Sequence, residues 1–253
     1  MTHRRLIVGN WKMNPQTADE AKKIARAARA RASALAHASV VVCPPFPFLP
    51  ACASRAAAPH YELGAQSVSV DASGAHTGQV GAAMLHSLGA RYAIVGHSEE
   101  RKAGDTDATV SKRLSMAVAS GMTAILCVGE ESRDESGSYF AALKAQIEGS
   151  LAGAAAADAS HVVIAYEPVW AIGAKEAMLP DQVAEAVIFV KKAFSDLFGA
   201  EAGRSLKVLY GGSVNFRNAA DIIRIGRADG LLVGRESVNI PGFAELLKAV
   251  DEA

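Results

Sequence analysis

The chain has 253 residues, half of them hydrophobic, with 26 basic residues against 26 acidic ones and no formal net charge. That length suits one large domain or two small ones, and the balance of charge excludes a disordered chain, an acidic tail and a nucleic-acid-binding surface. Three cysteines (Cys43, Cys52, Cys127) lie far apart with no CxxC spacing, which predicts free thiols in a reducing compartment and neither a disulfide framework nor a zinc site.

The start, Met1-Thr2-His3-Arg4-Arg5, is basic, but the apolar run behind it is only Leu6-Ile7-Val8. That is far short of a signal-peptide core, and no later run approaches a membrane span. The expected location is the cytoplasm, with no membrane partner. Leu6-Ile7-Val8-Gly9-Asn10 reads as a first strand and is followed by Trp11-Lys12, which is no GxGxxG fingerprint. Thr17-Ala18-Asp19-Glu20 is a capping box, opening an Ala/Lys/Arg-rich helix to Leu35. Strands are then predicted at Val40-Val41-Val42-Cys43, halted by Pro44-Pro45, and more weakly at Tyr61-Glu62-Leu63-Gly64-Ala65-Gln66. Tyr92-Ala93-Ile94-Val95-Gly96 and Thr123-Ala124-Ile125-Leu126-Cys127-Val128 are the fourth and fifth. The alanine-rich stretch 152–157 reads as a helix end running into a loop.

The sixth strand, Val162-Val163-Ile164-Ala165-Tyr166, delivers Glu167 and stops at Pro168, which cannot donate to a ladder. The apolar stretch behind it, Val169-Trp170-Ala171-Ile172-Gly173, reads either as a lid over a base or as a loop packed on the core. Pro180-Asp181 starts a helix whose Val183, Ala186, Val187 and Val190 share one face. Lys207-Val208-Leu209-Tyr210 is the seventh strand, and Asn215 is placed to cap a helix from Phe216 to Ile225. Gly230-Leu231-Leu232-Val233 is the eighth strand, and Pro241 opens the last helix.

Runs this apolar belong to parallel strands covered on both faces. Strand and helix alternate throughout without a linker. The expected fold is therefore α/β, a single (β/α)8 barrel domain over residues 1–253, with an open doubly wound sheet as the runner-up.

In a barrel the carboxyl ends of all strands meet at one rim. That rim would collect Asn10, Lys12, Gln66, His97, Glu99, Glu130, Glu167, Ser213 and Gly234. Each has a plain alternative. Lys12 reads equally as a solvated loop lysine, His97 as a satisfied core histidine, and Gly211-Gly212-Ser213 as an ordinary turn. Asn10 reads as a positioning group. Glu99 and Glu130 read as structural ion pairs with Arg101, Lys12 or Lys112. Taken together, glycines after strands seven and eight fit a phosphate, because backbone N–H groups must come close to the oxyanion. A carboxylate, a histidine and a lysine fit proton abstraction beside a carbonyl on a small phosphorylated substrate. No metal cluster, Walker loop or nucleophilic triad spacing competes.

Five blocks now make a pattern: Gly9-Asn10-Trp11-Lys12-Met13-Asn14, Val95-Gly96-His97-Ser98-Glu99, Cys127-Val128-Gly129-Glu130, Ala165-Tyr166-Glu167-Pro168-Val169-Trp170-Ala171-Ile172-Gly173 and Leu209-Tyr210-Gly211-Gly212-Ser213-Val214. In this order, spanning the chain, they resemble the triosephosphate isomerase family, whose fold is the TIM barrel. That family is a well-known instance of a glutamate base, a neutral histidine and a closing loop, so those roles come with the resemblance. The resemblance implies interconversion of dihydroxyacetone phosphate and D-glyceraldehyde 3-phosphate through an enediolate, in glycolysis and gluconeogenesis, with no cofactor and no metal. It implies Glu167 as base, His97 as neutral electrophile, Lys12 as cation, Asn10 holding the site and Glu99 supporting it. It also implies phosphate contacts from Gly173, Ser213 and Gly234, a latch at Tyr210, and a homodimer through the loop around Thr77.

The chain departs from the family pattern at three places. Ala174-Lys175-Glu176 replaces the usual Thr-Gly-Lys, and Arg235 replaces a second phosphate-binding glycine, keeping a backbone N–H for the substrate. Gln79 and Glu100 replace a glutamate and an arginine that meet across the family's dimer interface. These departures keep two alternatives open: an isomerase of another short ketose phosphate, such as a tetrulose phosphate, and a catalytically silent barrel that binds sugar phosphate.

Overall fold

The computed structural model describes residues 4–53, 58–134, 137–171 and 177–253. Eight strands, β1 (Arg5–Asn10), β2 (Ala38–Cys43), β3 (Tyr61–Ala65), β4 (Ala90–Val95), β5 (Thr123–Val128), β6 (Val162–Tyr166), β7 (Lys207–Tyr210) and β8 (Gly230–Val233), follow one another in chain order. All pairings are parallel, and β8 returns to β1, with Leu6 opposite Gly230 and Gly9 opposite Val233, so the sheet closes into a barrel. Among the described residues the helices are α1 (Ala18–Ala32), α2 (Leu49–Cys52), α3 (Ala82–Ser87), α4 (Ser98–Lys102), α5 (Asp107–Ala119), α6 (Tyr139–Ser150), α7 (Pro180–Phe198), α8 (Ala200–Ser205), α9 (Ala219–Arg224) and α10 (Ile240–Asp251). The open-sheet runner-up is excluded by the closure.

Strand side chains alternate between two cores, as the two-residue period requires. Leu6 and Val8, Val41 and Cys43, Ile125 and Cys127, and Val163 and Ala165 fill the barrel interior with Ile94, Leu209 and Leu232. Their neighbours, such as Ile7, Val40, Val42, Leu126 and Ile164, face outward into a layer shared with the helices. The weak third strand has a packing reason. A Cβ on Gly64 would lie 2.6 Å from the Cys43 sulfur and 3.0 Å from Val41 Cγ1, so the interior leaves no room for a side chain there.

The expected α7 starts at Pro180, and Val183, Ala186, Val187 and Val190 are buried on one face with Ala193 and Phe194. Burial of each large member contributes about 1.5–3 kcal/mol. At α1 the Glu20 amide donates to Thr17 Oγ1 at 3.3 Å. The helix stops at Ala32 rather than Leu35, because Ala34 and Leu35 donate to carbonyls three residues back in a tighter turn. Beyond it, the amides of Ala36 and His37 donate to the Asp251 carboxylate at 3.0 and 2.7 Å, tying the end of α10 to the entry of β2.

Two local expectations are corrected. Asn215 heads a turn, its side chain accepting the Arg217 amide at 2.9 Å, and α9 begins only at Ala219. The stretch 152–157 is not the end of a helix: α6 stops at Ser150, and the stretch runs from a turn into a 3-10 helix at Ala156–His161, where Asp158 accepts the Ala155 amide at 2.9 Å.

Candidate active site

Glu167 is fixed by its backbone before its side chain does anything. The ladder continues one residue past β6: the Glu167 amide donates to Val128 O and the Gly211 amide to Tyr166 O, both at 2.8 Å. Pro168 has no amide to donate, and one more bond follows it, from the Val169 amide to Glu130 O at 3.0 Å. Two glycines clear the space around the residue. A Cβ on Gly129 would fall 1.7 Å from the Glu167 carbonyl oxygen, and one on Gly211 would fall 2.9 Å from Glu167 Cγ. The carboxylate is 3% exposed; Oε2 accepts the Ser98 amide at 3.1 Å, and Oε1 stands 3.1 Å from His97 Nε2.

His97 leaves β4 through Gly96, which turns with φ +69° in the left-handed region that glycine adopts without strain. The Glu99 amide donates to His97 Nδ1 at 3.1 Å. An acceptor at Nδ1 requires the neutral ring with its proton on Nε2, the nitrogen facing Glu167. Burial, the largest influence, lowers the His97 pKa, but the adjacent Glu167 carboxylate outweighs it and the net shift is upward. Beside these two, Lys12 lowers the pKa and Glu99 raises it.

Lys12 has φ +53°, a left-handed backbone that a non-glycine residue holds only when its surroundings enforce it. Asn10 Oδ1 accepts the Lys12 amide at 3.0 Å, while Gln66 Nε2 donates to Lys12 O and to Cys43 O, each at 2.8 Å. Gln66 thus clamps the lysine's backbone, a role its place at the rim did not disclose. The Lys12 ammonium pairs with Glu99 Oε1 at 2.5 Å. Burial pushes the Glu99 carboxyl up, but that ammonium holds it below the usual range.

Asn10, Lys12, His97, Glu167, Ser213, Gly234 and Arg235 all line one cleft of about 440 Å³ at the carboxyl ends of the strands. Glu99 supports it through Lys12, and Gly173 lies outside the described residues. Arg235 begins a 3-10 turn (Arg235–Val238), so its amide has no acceptor within that turn. Its φ is not positive, so arginine meets no backbone strain there.

Glu130 differs from expectation. Its partner is none of Arg101, Lys12 and Lys112. Arg133 Nε, Tyr166 Oη and Trp170 Nε1 converge on Glu130 Oε1 at 2.8, 2.7 and 3.0 Å. Arg101 is committed elsewhere, to Gly96 O, Asp107 and Ser150. Glu130 therefore anchors the Trp170 loop rather than facing the cleft. Tyr210 Oη accepts the Met178 amide at 3.3 Å, holding the chain just beyond residues 172–176. Cys127, buried and free, is pushed far up by burial and then by Glu167, so it is a protonated, unreactive thiol at neutral pH. Among the described residues no cluster of three or more His, Cys, Asp or Glu could hold a metal.

A buried carboxylate facing an Nε2–H donor, with an ammonium alongside and glycine turns at one end, can move a proton beside a carbonyl and hold an anionic group. The family model for triosephosphate isomerase matches residues 5–250. The chain belongs to the triosephosphate isomerase family. A triosephosphate isomerase from Rhodopirellula baltica is 38% identical over 255 residues, covering all of both chains. One from Gluconacetobacter diazotrophicus is 40% identical over 97% of this chain and 98% of its own. The crystal structure of triosephosphate isomerase from Bartonella henselae superposes with a TM-score of 0.86 at 32% identity, covering 97% of this chain and 98% of that one. Within the family pattern, the departures Gln79 and Glu100 share a second cavity, of about 270 Å³, that also touches Asn10, Lys12 and His97. The altered lid residues 174–176 lie outside the described residues.

Proposed function

We propose that this protein interconverts dihydroxyacetone phosphate and D-glyceraldehyde 3-phosphate by proton transfer through an enediolate, without a cofactor, as one barrel domain. The observation that carries the reading is the opposition of Glu167 Oε1 and His97 Nε2 at 3.1 Å, with both groups buried and the Lys12 ammonium on the same cleft. Glu167 takes a proton from the carbon beside the carbonyl, and that C–H electron pair becomes the carbon–carbon double bond of the enediolate. The carbonyl π electrons move onto oxygen, where His97 Nε2–H and Lys12 meet the developing charge. The former carbonyl oxygen takes the Nε2 proton of His97, which recovers one from the neighbouring hydroxyl, while Glu167 returns its proton to the neighbouring carbon, so hydroxyl and carbonyl exchange places. Ser213, Gly234 and Arg235 supply amides to the phosphate, Asn10 holds Lys12 in place, and Glu99 supports its charge.

On the same reading the protein is a cytoplasmic enzyme of glycolysis and gluconeogenesis. No helix among the described residues is long and apolar enough to cross a membrane. A homodimer through the loop around Thr77 accords with residues 72–79, which are exposed throughout.

Arg235 at the cleft favours keeping a second substrate in view, a four-carbon ketose phosphate. Coupled assays on three- and four-carbon phosphates separate them. The kcat/KM for glyceraldehyde 3-phosphate should exceed that for the tetrulose phosphate by at least about tenfold, since an extra carbon must fit a site shaped for three. The reverse order would assign the longer substrate. Binding of both with turnover of neither would leave only a sugar-phosphate-binding barrel.

A further inference from the structure

Among the described residues, four charged ones line the cleft: Lys12, Glu167, Arg235 and Glu236. Three of them are engaged. Lys12 is paired with Glu99 at 2.5 Å, and Glu167 faces His97 and the Ser98 amide. Glu236 Oε2 takes the Asn239 side-chain amide at 3.3 Å and sits against Gly242 in the first turn of α10, where the field of the helix favours a carboxylate. Arg235 is exposed and has no ion pair or hydrogen bond from its guanidinium among the described residues. With glycine at this position the described lining would carry two carboxylates against one ammonium, and that ammonium already has a partner. A phosphate ester carrying two negative charges would then enter a cleft of its own sign.

We infer that the Arg235 guanidinium is a binding cation for the phosphate end of the substrate, acting in addition to backbone amides at this corner. An exposed guanidinium forms forked contacts to phosphate oxygens and draws dianions toward the cleft. It stands far from the reacting carbon in chemical role: it binds substrate and transition state alike, so it belongs in KM rather than kcat. The identity of the dianion as a triose phosphate rests on the function proposed above. The charge balance of the cleft holds without it.

The test compares wild type, Arg235→Gly and Arg235→Lys, using inorganic phosphate as the probe by calorimetry and glyceraldehyde 3-phosphate in the coupled assay. Arg235→Gly should weaken phosphate binding and raise KM by about fivefold, the loss expected of one solvent-exposed charge contact. Its kcat should stay within about twofold, because uniform binding is what has been removed. The salt dependence of phosphate binding should flatten, and lysine should restore most of the affinity. Equal phosphate affinity in wild type and Arg235→Gly at low salt would overturn the inference. So would a fall in kcat at unchanged KM, with a lowered melting temperature that lysine does not rescue, which marks a structural role. Phosphate binding that depends on Arg235 in a wild type without isomerase activity would support this inference and contradict the proposed reaction.

Discussion

The Glu167 carboxylate has room to face His97 only because two residues packed against it have no side chain. At Gly211 a methyl group would meet Glu167 Cγ at 2.9 Å, so the carboxylate would have to swing away from His97 while its backbone stayed on the ladder. Gly211→Ala should therefore lower kcat by about a hundredfold, the effect expected of roughly 1 Å of misplacement at a reacting group. Its melting temperature should change little by comparison; a variant with near-normal kcat would show that the carboxylate has more freedom than its packing implies. At Gly129 the conflict is with the Glu167 carbonyl itself, so backbone rather than side chain would have to move. The sequence exposes these candidate residues readily, since Glu167 stands one residue and Lys12 and His97 stand two residues past an apolar strand. It hides their supports. Gln66 shows no sign that it will clamp Lys12 O and Cys43 O, and nothing in Gly129 or Gly211 names the residue they make room for. The partners of Glu130 are hidden for the same reason: Arg133 lies only three residues on, but Tyr166 and Trp170 reach it across the top of β6.

At the scale of elements, periodicity is a dependable guide where one face is buried and a poor one at ends. The apolar face of α7 appears as read from the chain, because spacing alone determines which residues lie over the sheet. The ends of α1 and α9 differ by about three residues from the reading, where local turn bonds compete with the last or first helical bond. One such junction carries a charge of consequence. Burial raises the Asp251 pKa, but the amides of Ala36, His37 and Ala38 lower it more, and the net shift is below the ordinary 3.8. A carboxyl depressed by folding contributes stability that is present above its unfolded pKa and lost as pH falls through its folded value. Asp251→Asn should therefore be less stable than wild type in urea at neutral pH, with the gap closing as pH drops below 3.8. A gap that persists unchanged at low pH would mean the carboxylate's charge plays no part in the junction.

For the whole molecule, eight parallel strands closing on one another turn residues from every part of the chain into one rim. Asn10 from the start and Gly234 from near the end line the same cleft. That convergence is why strand-end residues, weak evidence singly, are informative as a set. Closure itself is not written in any one strand; it requires β8 to pair with β1, and only the alternation of elements points to it. The proposed dimer places a second level of assembly at the loop around Thr77. Gln79 and Glu100 border a cavity that opens onto Lys12 and His97, so a neighbouring copy seated there would also shield the site. Sedimentation at micromolar concentration should give a dimer's mass, whereas a monomer with full activity would separate catalysis from assembly.

The most direct test is the coupled isomerase assay on glyceraldehyde 3-phosphate with Glu167→Gln beside wild type. The amide nearly keeps the carboxylate's shape and removes its capacity to take a proton. Rapid wild-type turnover is expected, with a fall of at least about a hundredfold to ten-thousandfold in kcat for the variant, the range for losing a positioned general base. A wild type no faster than Glu167→Gln would contradict Glu167 as the base, and with it the assignment of the proton transfer to this cleft.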